Sequence, residues 1–130
     1  MLFRSAITPE RVAVNIDDAR IPDNAGYAPT DAIIVDDGPT AYFSTLPVRR
    51  IVDAVTADGI PCAMSWSAGT YVCNRVFYVV QHHCVSRGIK SGFIHVPLMT
   101  EQADEFPGLP TMPLDDMVRA TTIAIRTSAG

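Results

Sequence analysis

Cys73 stands in SAGTYVCN (residues 67–74), behind a glycine-containing turn and at the start of a stretch with helical periodicity. A buried cysteine is ordinarily a small hydrophobe. At a helix start, however, the unpaired N–H groups and the helix dipole both favour thiolate. The same N–H groups can hold the oxyanion formed when a thiolate attacks a carbonyl. A cysteine nucleophile needs a base within hydrogen-bond reach. His95, in SGFIHVP (residues 91–97), is the candidate; among Phe93, Ile94 and Val96 its alternative role is that of a satisfied core histidine. The imidazole in turn needs an acid to orient it. Glu10 precedes the apolar stretch 11–16, and Asp17, Asp18 and Asp23 follow it, so spacing leaves all four open. His82-His83-Cys84 invites a metal reading, but adjacent helical residues diverge by about 100° and cannot converge on one ion. Those residues read as ordinary helix positions, and Cys62 as strand core.

The elements that must position these groups follow from periodicity and breakers. Residues 11–16 alternate apolar and polar and predict a strand. Residues 17–45, rich in Pro, Gly and Asp, predict a long irregular connection with at most a short strand at 32–35. Pro47 opens a helix to about residue 57, closed by Gly59. Residues 60–64 predict a short strand. Residues 70–87 predict a helix with Val72, Val76, Val79, Val80 and His83 along one side and Gly88 as its stop. A strand at 91–97 and a helix at 114–126, with Asp115 and Asp116 at its positive end, complete the order. Alternating strands and helices predict an α/β fold with a parallel sheet. Right-handed crossovers would then bring His95 to the sheet edge where the Cys73 helix begins.

The totals exclude several function classes. The 130 residues suit one domain, and 48% apolar with 18% charged residues is a globular composition. A net charge of −4, from 14 acidic and 10 basic residues without a basic cluster, argues against nucleic acid as a partner. No apolar run is long enough to span a bilayer, so no membrane role is expected. The first ten residues lack a basic region followed by an apolar stretch, and the three cysteines cannot all pair; both point to a reducing cytoplasm.

Four separated segments, ITPERVAVNIDDARIPDN, GPTAYFSTLP, SWSAGTYVCN and GFIHVP, occur in this order. Together they resemble pyroglutamyl peptidase I, also called pyrrolidone-carboxylate peptidase, over essentially the whole chain. The resemblance implies a Cys73–His95–Glu10 triad, with Arg20 in DDARIPDN turning its guanidinium toward the oxyanion beside the Cys73 N–H and Asp23 fixing the neighbouring loop. It implies removal of N-terminal pyroglutamyl (5-oxoproline) residues from peptides without metal or organic cofactor. It further implies a phosphorylase/hydrolase-like α/β sandwich, a homotetramer and a cytoplasmic location. Family members carry an additional N-terminal portion that supplies a first βα unit and aromatic residues gripping the pyroglutamyl ring. Against that pattern residues 1–130 form a single, partial domain, and Met1-Leu2-Phe3 precede Arg4 where the family has glycines. A second reading is a catalytically inactive chain serving as a structural or oligomer-forming module. A third is a cysteine hydrolase of altered substrate, with Phe3, Tyr27, Tyr42 and Phe43 as ring-binding candidates.

Overall fold

Three helices form where periodicity predicts them: α1 (Val48–Ala57), α2 (Val72–Val85) and α3 (Leu114–Ala129). The computed structural model describes residues 3–130; Met1 and Leu2, two of the positions where glycines are expected, lie outside them. Pro47 precedes α1, and Gly59, at φ +83°, takes the left-handed conformation that ends it. The chain divides into two compact units, both built from separated segments.

The first unit comprises the segment ending at Glu10, Leu46–Ser65 and Phe93–Gly130. Its core is Ile7, Ile51, Val55, Ile60, Met112, Met117, Ala120 and Ala124, which seats the apolar stripes of α1 and α3 on each other. Strand β1 (Thr8–Glu10) pairs antiparallel with β4 (Phe93–His95) in the register Thr8↔His95 and Glu10↔Phe93. On its other edge β1 runs parallel to residues 62–65 through the bridges Ile7–Cys62 and Glu10–Ser65. Pro9, having no N–H, forfeits one rung of that ladder, while its carbonyl accepts from the Ser65 N–H at 3.0 Å. Beyond β4, β5 (Leu98–Met99) pairs parallel with β6 (Thr111–Met112).

The second unit comprises Arg11–Thr45 and Trp66–Gly92. Strand β2 (Val12–Val14) pairs antiparallel with β3 (Ala41–Phe43), and α2 packs on both. Asp17 and Ala32 exchange two backbone hydrogen bonds of 2.7 and 2.9 Å, so the expected strand at 32–35 is reduced to one bridge. The face of α2 buried here is Asn74, Phe77, Tyr78 and Gln81, whereas Val72, Val76, Val79 and Val80 are exposed, the reverse of the face that valine spacing selects. The amides win because strand backbone needs them. Asn74 accepts from the Val14 N–H (2.9 Å) and donates to the Val14 and Ile16 carbonyls (2.8 and 3.1 Å), and Gln81 donates to the Phe43 carbonyl (2.9 Å).

The α/β class is as expected, with a mixed rather than wholly parallel strand arrangement. Residues 62–65 and β4 are not neighbours joined by a crossover; β1 lies between them, antiparallel to β4. His95 is therefore positioned by strand register against β1, not by the crossover that the order of elements suggested.

Candidate active site

The register of β1 and β4 brings Glu10 and His95 together in the first unit. Thr8 and Glu10 share one face of β1, as every second residue of a strand does, and His95 opposite Thr8 projects to that face. His95 Nδ1 lies 2.7 Å from Glu10 Oε1, and the same oxygen accepts from Arg4 Nη2 at 2.8 Å. Arg4 Nη2 also donates to Ser65 Oγ at 3.1 Å. Glu10 is fully buried and His95 nearly so, with the Phe93 ring edge-on to the imidazole at 4.9 Å.

A carboxylate oxygen that already accepts from arginine can only accept from the ring, so Nδ1 carries a proton and donates it to Glu10. Nε2 is buried and has no hydrogen-bond partner among the described residues. An orphaned buried nitrogen costs about 1–3 kcal/mol, and such a group in a native structure needs a reason. A base held in one tautomer by its other nitrogen supplies one.

The second unit holds the cysteine. The first intrahelical bond of α2 runs from the Arg75 N–H to the Tyr71 carbonyl at 2.8 Å, which leaves half-buried Cys73 in the turn ahead of the ladder. Gly69 takes φ +82° in the turn before it. That turn is tied to the loop bearing Arg20: the Asp18 N–H donates to the Thr70 carbonyl (2.7 Å), and Thr70 Oγ1 donates to the Asp18 carbonyl (2.9 Å). Arg20 is exposed and has no ion-pair partner among the described residues.

Of the four acids open at the sequence level, Glu10 is the one on His95. Asp17 is buried in an ion pair with Arg75, Asp18 accepts from the Asp31 N–H at 2.9 Å, and Asp23 accepts from the Ala25 and Tyr27 N–H groups, both at 2.9 Å. Asp23 thus folds its own loop. Sequence reasoning gave no role to Arg4 or to Ser65, which opens SWSAGTYVCN; only the pairing of distant segments brings them to Glu10. Burial pushes the Cys62 thiol up to about 11, so it is a poor nucleophile. His82 is engaged by the Tyr42 hydroxyl at 2.7 Å, and no group of three or more His, Cys, Asp or Glu among the described residues is arranged to hold a metal ion. No helix of the described residues is long and apolar enough to cross a membrane.

A family model for pyroglutamyl peptidase matches residues 3–130. The pyrrolidone-carboxylate peptidase of Vibrio vulnificus (strain CMCP6) is 55% identical over 124 residues, 95% of this chain and 58% of that protein. The crystal structure of pyroglutamyl peptidase I from Bacillus amyloliquefaciens superposes with a TM-score of 0.91 at 44% identity, covering 97% of this chain and 60% of its own. The pyrrolidone carboxyl peptidase of Thermococcus litoralis superposes with a TM-score of 0.90 at 45% identity over 97% of this chain and 60% of its own. The chain belongs to the pyroglutamyl peptidase family. It spans about three fifths of the length of these relatives.

Proposed function

We propose that this chain carries the catalytic groups of a cysteine exopeptidase that removes N-terminal pyroglutamyl residues from peptides, with Cys73 as nucleophile, His95 as base and Glu10 as its orienter. The observation that carries the reading is the buried Glu10–His95 pair with Nε2 left without a partner. Family membership makes the peptidase the reading to prefer over an inert structural module. His95 Nε2 takes the thiol proton as Cys73 Sγ bonds to the pyroglutamyl carbonyl carbon, giving a tetrahedral oxyanion and an imidazolium. The Cys73 N–H and the Arg20 guanidinium face the oxyanion, whose charge exists only at that stage. The imidazolium then protonates the departing amine, the C–N bond breaks and a thioester remains. Water, deprotonated by His95, attacks the thioester and releases pyroglutamate and the thiol. The chemistry asks for no metal or organic cofactor, and the substrates are peptides beginning with pyroglutamate. The working form in this reading is a cytoplasmic homo-oligomer, a tetramer by family resemblance.

Hydrolysis of a pyroglutamyl arylamide tests it. Cys73→Ala and His95→Ala should each reduce kcat to a similar floor, because members of one unit are non-additive. Glu10→Gln should lose less, since it keeps an acceptor for Nδ1–H. Rates in His95→Ala equal to those of the unaltered chain would remove histidine from the mechanism.

A further inference from the structure

We infer that Arg4 is a positioning residue of the active site, acting through Glu10 to hold the carboxylate with its Oε1 turned to His95; this rests on the peptidase reading of the Glu10–His95 pair. Glu10 is fully buried, yet its Oε2 has no hydrogen-bond partner among the described residues. Arg4 Nη2 at 2.8 Å and His95 Nδ1 at 2.7 Å both converge on Oε1. A buried carboxylate without a permanent cation is costly. Arg4 supplies that cation at 2.8 Å, on the oxygen that faces His95.

Geometry adds orientation to charge. Arg4 Nη2 is also bonded to Ser65 Oγ at 3.1 Å, and Ser65 is fastened to β1 by its N–H donating to the Pro9 carbonyl at 3.0 Å. The guanidinium is thereby held by the strand segment on one side of β1 while it holds a side chain that reaches to β4 on the other. In the proposed mechanism Arg4 acts through Glu10 and exchanges no proton or bond with the substrate, so it is not a catalytic residue.

The test combines a spectroscopic and a kinetic readout on the full chain. In the NMR spectrum the His95 Nδ1 proton, assigned by its loss in His95→Ala, should resonate far downfield. Arg4→Met should move that signal, and Arg4→Lys should hold it nearer its original position. In arylamide hydrolysis Arg4→Met should lower kcat at least about tenfold with KM little changed, and Arg4→Lys should recover part of the loss. In a Glu10→Gln background, where there is no charge to support, Arg4→Met should change kcat by less than about twofold. A displaced Nδ1 signal in a chain that shows no turnover supports the role of Arg4 and counts against the peptidase reading. Turnover with the signal unmoved by Arg4→Met, or an equal kcat loss with Glu10 and with Gln at position 10, overturns the inference and leaves the peptidase reading standing.

Discussion

Burial pushes the Cys62 thiol from 9.0 to about 11, because the thiolate would lose its hydration beside the core of the first unit. The folded chain therefore holds this proton more tightly than the unfolded one. The stability it contributes is complete below pH 9 and is lost as pH rises through about 11. The midpoint of thermal unfolding should fall across that window, and Cys62→Ala should flatten the fall; circular dichroism melts at stepped pH check this. Cys73 stands instead in the first turn of α2, the end of a helix where N–H groups lack intrahelical partners. A limiting alkylating agent at neutral pH should label Cys73 before Cys62 or Cys84, as read by peptide mass spectrometry. Preferential labelling of Cys84 would count against a reactive Cys73.

Among the elements, α2 depends on two amides more than on its valines. Asn74→Ala removes three hydrogen bonds and strands the Val14 N–H beneath the helix, while the Val14 carbonyl keeps the Ile16 N–H. A loss of about 3 kcal/mol is expected in urea unfolding, and a loss below about 1 kcal/mol would mean the strand finds other partners. The same helix shows where the sequence was legible. Its existence and ends follow from periodicity and from Gly88, and the helix-start position of Cys73 follows from the ends. Its inner face does not, because hydrophobic spacing cannot register that β2 and β3 need donors and acceptors from Asn74 and Gln81. Strand β1 was hidden for a related reason. Thr8-Pro9-Glu10 has a proline and an acid where a strand pattern wants apolar residues, and all three are buried by long-range pairing alone. His95 and Glu10 were recognisable as candidates by type, but their 2.7 Å contact is a product of register. Arg4 and Ser65 lie in segments that the sequence marks, but their meeting at Glu10 is again a product of long-range pairing.

For the molecule as a whole, the exposed apolar faces are the outstanding feature. Val72, Val76, Val79 and Val80 are 38–53% exposed on α2, and Leu114, Val118 and Ile125 are 49–65% exposed on α3. Covering the four half-exposed valines would contribute about 3–6 kcal/mol, enough to drive association at ordinary protein concentrations. Sedimentation velocity should therefore show concentration-dependent self-association, and Val76→Lys with Val80→Glu should shift the chain toward monomer. Equal sedimentation of the two proteins would relieve the α2 face of that role. The segmented make-up of the first unit has a different consequence, in time rather than in space. Glu10 and His95 are separated by 85 positions, so their contact closes the largest loop in the site and must wait for the slowest search. The helix containing Cys73 needs only its own neighbours to begin forming. On dilution from denaturant, helical signal should return ahead of the downfield His95 proton, and the chain should pass through a stage that has α2 formed and the Glu10–His95 contact still open.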